Sequence, residues 1–285
     1  MILSFLYMKN FRIIPRLDIK NGLLIKGINL EGLRILGNPF DFAREYYLDG
    51  ADEICYIDIV SSLYGTKNLA KFIKKTAESN LIPLAVGGGI KSLADINQIL
   101  SNGADKICIN SAFINNISLL KQASKKFGAS TITTIVEITK IDDKLFLTSN
   151  NGREIHYIKP LDWLKKIQDQ GAGEIIITSV LDEGLNKGFN LKILDYVSKI
   201  LTVPFLVHGG LGNKQHIYDI AKNSSASGVL ISSLLHYNYL YCSNLNYKNK
   251  IGNFEYISNI KKKKKKNLFL EIKNFLKKKK INVRL

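Results

Sequence analysis

Apolar, β-branched runs alternate with amphipathic stretches along almost the whole chain, and that alternation predicts parallel strands joined by crossover helices. The runs place eight strands, at 12–17, 53–57, 83–86, 106–109, 131–138, 174–178, 204–207 and 228–231. Eight such units close naturally into a (β/α)8 barrel, an α/β fold that fills about 200–250 residues as one unit. One barrel domain is therefore expected over 1–285, with a Tyr/Asn/Lys-rich insertion at about 238–266. The spacing of Leu, Ile and Phe over 268–276 predicts a last barrel helix with its lysines outward.

The pattern also repeats. Ile82 to Lys91 is an apolar run that breaks into Gly87-Gly88-Gly89, and Val203 to Gly212 does the same at Gly209-Gly210, roughly 120 residues later. Each copy is followed by a helical stretch and a second apolar run ending in small polar residues, Asn110-Ser111 and then Ser232-Ser233. Self-similarity at this distance predicts two related half-barrels.

Composition adds less. A hydrophobic share of 46% is ample for a core, which excludes a disordered chain. The net charge of +17 is concentrated in Lys261 to Lys266, Lys273, Lys277 to Lys280 and Arg284. That tail lacks the interleaved aromatics and arginines of a base-stacking platform, so it reads as a solvated face and no nucleic-acid partner is expected. Cys55 and Cys108 lie inside strand-like runs and Cys242 in the insertion. No spacing suggests zinc or a disulfide framework, which fits a reducing cytoplasm and a site without metal or cofactor. The apolar stretch Met1 to Tyr7 is too short for a secretory segment, nothing reaches membrane-spanning length, and Met8 stands as an alternative start.

In a barrel of this kind chemistry gathers at the carboxyl ends of the strands. Standing there are Asp18, Asp58, Gly87 to Gly89, Asn110 with Ser111, Glu137, Thr178 with Ser179, Gly209 with Gly210, and Ser232 with Ser233. Asp18 ends the first strand and Glu137 the fifth, which puts two carboxylates on opposite sides of the mouth. Such a pair suits proton exchange, one member as acid and one as base; the plainer alternative is that one of them only caps a loop. The glycine turns pair with their polar partners, Gly88 and Gly89 with Asn110 and Ser111, Gly209 and Gly210 with Ser232 and Ser233. Each pair can form an anion cradle from loop amides and a helix N-terminus, and two cradles call for a small molecule with a phosphate at each end. Arg12, Glu53, Lys106 and Glu174 open strands at the opposite face, where by themselves they read as ordinary salt bridging.

The segment Arg12-Ile-Ile-Pro-Arg-Leu-Asp18 with Lys26-Gly27 resembles the opening of the cyclase subunit of imidazole glycerol phosphate synthase, of histidine biosynthesis. The likeness continues through Gly50-Ala-Asp-Glu53, Val86 to Ile90, Gly103-Ala-Asp-Lys106, Ile109-Asn-Ser111, Gly171-Ala-Gly-Glu174, Thr178-Ser179 and the closing Ile281 to Leu285. The resemblance implies a barrel that forms a heterodimer with a glutaminase docked at the strand-start face and receives ammonia from it. Ammonia and phosphoribulosyl-formimino-aminoimidazole carboxamide ribotide would then give imidazole glycerol phosphate and aminoimidazole carboxamide ribotide. It implies Asp18 and Glu137 as the catalytic pair and Lys26 over the substrate. Gly89, Asn110, Gly184, Gly210 and Ser233 fall on phosphate-binding positions, and Arg12, Glu53, Lys106 and Glu174 on a gate around the ammonia entrance.

Four departures lie at the ligand face. Glu137 is longer than the expected aspartate by one methylene, about 1.5 Å of reach. Arg16 stands where the family has a small thiol, and His208 where it has a small residue. The order Leu181-Asp182-Glu183-Gly184 rearranges the acids around a loop glycine. These changes also fit a paralogue associated with surface polysaccharide, a barrel that channels ammonia for amidination of a nucleotide sugar. A sister isomerase on a similar barrel needs no ammonia and leaves the charged quartet unexplained.

Overall fold

The computed structural model describes residues 10–28, 31–59, 67–142, 144–242 and 267–285. The stretch Met1 to Tyr7, the part of the expected 238–266 insertion beyond residue 242, and with it the lysine run Lys261 to Lys266, lie outside the described residues, while 238–242 continue a helix.

Eight parallel strands form a closed ring: β1 (Arg12–Lys20), β4 (Ile54–Asp58), β5 (Leu84–Gly87), β6 (Lys106–Ile109), β7 (Ile132–Ile141), β10 (Glu174–Ser179), β11 (Phe205–His208) and β12 (Gly228–Ile231). Each pairs in parallel with the next, and β12 returns to β1 through Arg12–Gly228 to Pro15–Ile231. Helices stand between them: α1 (Pro39–Leu48), α2 (Lys67–Ser79), α3 (Leu93–Ser101), α4 (Ser111–Asn115), α5 (Ile117–Phe127), α6 (Pro160–Asp169), α7 (Leu191–Ser198), α8 (Lys214–Asn223), α9 (Ser233–Cys242) and α10 (Leu268–Lys278). The eight expected strands are all present, shifted by one residue at several ends and extended by three at the ends of β1 and β7.

Two hairpins were not expected. β1 runs past Asp18 and turns back through β2 (Leu23–Ile28) and β3 (Glu31–Gly37); β7 runs past Glu137 and turns back through β8 (Lys144–Ser149) and β9 (Glu154–His156). Asp18 and Glu137 therefore sit within long strands, not at their ends. Asn21 and Gly22, with φ of 51° and 75°, make the first reversal, since two consecutive left-handed residues match the twist of paired strands.

The strand period of two sorts side chains into two cores. Ile14, Cys55, Ala85, Cys108, Ile135, Ile176, Leu206 and Leu230 meet inside the ring. Their neighbours Ile13, Tyr56, Val86, Ile107, Val136, Ile175, Val207 and Val229 face the helices. Helix starts follow local rules: Ser92 and Asp95 form a capping box on α3, and Asn38, Asn190 and Asn213 cap α1, α7 and α8 with their side-chain oxygens.

The last helix packs as anticipated, but one lysine does not face outward. Lys273 is buried, with Nζ 2.7 Å from Asp52 Oδ1 and 2.7 Å from the Gly50 carbonyl. Asp52 also accepts from the Ile13 amide at 2.8 Å and lies 3.3 Å from Arg284 Nε, while the Phe11 amide donates to the Asn282 carbonyl at 2.8 Å. A buried acid at the strand-start end drew the lysine inward, because an unpaired carboxylate there is far costlier than a paired one.

Candidate functional site

Strands β1 and β7 are four steps apart in the ring of eight; the inward positions are even-numbered on β1, as at Ile14, and odd-numbered on β7, as at Ile135. Asp18 shares its phase with Ile14, and Glu137 with Ile135, so both carboxylates point into the barrel above its inner core, where both are buried. Arg16 Nε donates to Asp18 Oδ1 at 2.9 Å, and Arg16 Nη1 lies 3.2 Å from His208 Nδ1. Glu137 Oε2 accepts from the Gly152 amide at 2.9 Å, in the turn between β8 and β9.

Burial raises the Glu137 carboxyl above its usual range, only partly offset by the Gly152 amide, Arg16 and Asn110. His208 is held well below the ordinary histidine value by burial and by the nearby Arg16 and Lys26, so its ring is neutral. Arg16 stays charged: burial is the largest single influence and opposes the cation, but Asp18, Cys55 and Glu183 together outweigh it. The mouth thus holds one ion-paired carboxylate and, across from it, one that burial makes hold its proton more tightly than a free carboxyl does.

A cleft beside Asp18 is lined by Ile25, Lys26, Gly27, Leu33, Ile59 and Asn151. Lys26 is buried and its ammonium pairs with Glu183, one of the rearranged loop acids. The other, Asp182, accepts from the Ser179 hydroxyl at 2.6 Å and the Asn190 amide at 3.0 Å, which shapes the loop after β10.

Gly184, Gly209, Gly210, Ser232 and Ser233 converge on one pocket together with Glu183 and His208. Ser233 opens α9, so that helix N-terminus faces the pocket, a ready place for an anion. The Ser232 hydroxyl is occupied otherwise, donating to the Arg16 carbonyl at 3.0 Å. The first cradle is built alike but lies beneath the β8–β9 turn. Ser111 bonds Asn150 at 3.2 Å, Asn110 Nδ2 reaches the Thr148 carbonyl at 3.5 Å, and Asn151 Nδ2 reaches the Ile59 carbonyl at 3.5 Å. Asn110 Oδ1 is buried with no partner among the described residues. Gly88 and Gly89 follow β5 at the same rim of the barrel.

The duplication is visible in backbone contacts. A Cβ on Gly88, at φ 106°, would lie 2.1 Å from the Asp58 carbonyl oxygen, and one on Gly209, at φ 116°, would lie 2.7 Å from that of Ser179. Both turns close against the end of the adjacent preceding strand of the ring, β4 in one half and β10 in the other, and only glycine fits there.

At the other end, Arg12, Glu53, Lys106 and Glu174 join into a closed circuit. Arg12 Nη1 reaches Glu53 at 2.9 Å and its Nη2 bonds Glu174, while Lys106 Nζ lies 3.0 Å from each glutamate. Burial dominates at Glu53 and raises its carboxyl; at Glu174 the two cations outweigh burial and lower it. Beside the circuit, a cleft of about 360 Å³ is lined by residues that include Asn80, Leu81, Pro83 and Asp105.

Sequence reasoning did not anticipate Asn151, Gly152 or the Lys26–Glu183 pair. The run Asn150-Asn151-Gly152 is itself a turn signal and could have disclosed the second hairpin. Among the described residues no cluster of three or more His, Cys, Asp or Glu is arranged to hold a metal ion, and no helix is long and apolar enough to cross a membrane.

Residues 12–240 match the family model described as histidine biosynthesis protein. A protein of Legionella pneumophila named imidazole glycerol phosphate synthase subunit HisF is 43% identical over 206 residues, covering 72% of this chain and 97% of that one. Proteins of the same name are 40% identical in Staphylococcus saprophyticus and 38% identical in Staphylococcus aureus, each over 79% of this chain and 90% of theirs.

Proposed function

The chain belongs to the histidine biosynthesis protein family and acts in amino-acid biosynthesis as the cyclase subunit of imidazole glycerol phosphate synthase, a lyase; from that premise we propose how its residues carry the reaction. Ammonia meets the formimino ribotide at the mouth. Two C–N bonds form to its nitrogen, the bond to the leaving aminoimidazole carboxamide ribotide breaks, and the ketone oxygen departs as water. The attacking nitrogen must shed protons and the leaving amine must gain one.

Asp18, ion-paired with Arg16, takes protons from the nitrogen, and Glu137, whose burial favours the protonated form, donates a proton to the leaving amine. Two inward carboxylates on opposed strands, in contrasting surroundings, are the observation that carries this division. The two glycine turns with Asn110, Ser111, Gly184 and Ser233 hold a phosphate at each end of the substrate, and Lys26 lies over its middle. No metal or cofactor takes part in this scheme.

A glutaminase subunit docks at the strand-start face and delivers ammonia through the circuit of Arg12, Glu53, Lys106 and Glu174. The circuit's position across the barrel axis and the cleft beside it, with Leu81 88% exposed, support that placement. The work is that of a cytoplasmic enzyme.

The test is turnover of the ribotide by the purified chain with an ammonium salt. Formation of both products, with kcat lowered about a hundredfold or more in Asp18→Asn, is expected. A folded chain that turns over nothing, or an Asp18→Asn variant at full rate, would move the assignment to an ammonia-channelling barrel that serves a separate amidotransferase.

A further inference from the structure

Two of the departures noted in the sequence touch each other. Arg16 on β1 and His208 on β11 are 192 positions apart, yet their side chains meet at 3.2 Å in the buried mouth. Arg16 is thereby held at two points, by His208 on one side and Asp18 on the other. Because the imidazole is neutral and its Nδ1 faces a guanidinium N–H, Nδ1 accepts and Nε2 carries the proton.

The location of the three groups differs in a useful way. Asp18 lines the cleft beside Lys26, and His208 lines the pocket formed by Gly184, Gly209 and Gly210. Arg16 lines neither and sits between them, so it reaches substrate only through its neighbours. Among the described residues it is the side chain that bonds the Asp18 carboxylate. Lys26 is committed to Glu183, and Glu137 is anchored by Gly152. Burying a guanidinium carries a desolvation penalty that a small side chain at this position would avoid, so simple space-filling is a poor account of it.

We propose that Arg16, braced by His208, is a positioning residue that fixes the orientation of the Asp18 carboxylate toward the reacting nitrogen. The inference rests on the reading of Asp18 as proton acceptor. A carboxylate gripped through one oxygen by a planar, two-point-anchored donor has little freedom to rotate, and proton transfer depends on that angle. His208 works one step further back, by denying Arg16 other rotamers.

The experiment is steady-state kinetics with ammonium salt and the formimino ribotide on Arg16→Met, His208→Ala, Asp18→Asn and the double variants. Arg16→Met is expected to lower kcat about a hundredfold, the loss associated with a misplacement of roughly 1 Å, while KM changes little. In the Asp18→Asn background the same substitution should add less than about threefold, because a residue that acts through Asp18 has nothing left to position. His208→Ala should lower kcat about tenfold, the worth of one hydrogen bond, and likewise lose its effect once Asp18 is gone. Arg16→Lys keeps the charge without the planar fork and should recover only part of the rate.

Equal losses from Arg16→Met in the wild-type and Asp18→Asn backgrounds, or a folded Arg16→Met at full kcat, overturn the inference. If Arg16→Met does not fold, the His208→Ala pair decides in its place, with full kcat overturning the bracing. An Asp18→Asn variant at wild-type turnover would instead remove the reading on which the inference stands.

Discussion

Lys273→Met tests how far the chain's end secures its beginning. The substitution preserves length and apolar stem but removes an ammonium that makes two 2.7 Å contacts, with Asp52 and with the Gly50 carbonyl. Asp52 is left buried with the Ile13 amide at 2.8 Å and a half-exposed Arg284 at 3.3 Å. Breaking one side of a buried ion pair typically costs about 3–5 kcal/mol, and the remaining Arg284 places this case near the lower figure, about 3 kcal/mol. Urea unfolding followed by far-ultraviolet circular dichroism, with unchanged slope and a lowered midpoint, reads the loss. Adding Asp52→Asn to Lys273→Met should restore part of it, because the orphaned charge is gone. A loss below about 1 kcal/mol, or a double variant weaker than the single, would refute the reasoning.

Gly88→Ala should destabilise by about 3 kcal/mol or more and Gly209→Ala by less, in keeping with their approaches of 2.1 and 2.7 Å to carbonyl oxygens; equal unfolding midpoints would contradict the contact geometry. Glu137→Gln should stabilise at neutral pH. The folded state holds the Glu137 proton more tightly than the unfolded chain, so that group's contribution is complete in acid and declines as pH rises through its raised folded value. The variant's melting advantage should accordingly be absent in acid and grow toward neutrality, and a constant or reversed difference would contradict the sign. Arg12→Ala should lower turnover further with glutamine and the glutaminase than with ammonium salt, and equal losses would argue that the circuit only stabilises the barrel.

The strands were legible because each needs one local signal, an apolar run bounded by turn residues. The half-barrel repeat carried further: the glycine turns at Gly88 and Gly209 do close on equivalent strands. The hairpins were missed although Asn21-Gly22 and Asn150-Asn151-Gly152 mark them, because the apolar runs invited each strand to be ended at its carboxylate. What no local rule could show is which distant charges meet. Arg16 and His208 were both noticeable, but nothing in their separate surroundings announces a shared contact. Lys273 sits on a helix whose spacing reads as solvated, and it is Asp52 and the Gly50 carbonyl, in the distant loop before β4, that turn it inward.

The circuit of Arg12, Glu53, Lys106 and Glu174 has a temporal consequence. Four side chains that satisfy one another leave that end of the barrel corked at rest. On the proposed route, ammonia passes only when a cation lets go of a glutamate, so supply from that end would be episodic and would wait on an event outside this chain. A barrel alone in solution should take its nitrogen through the opposite rim, and the two routes should respond differently to salt.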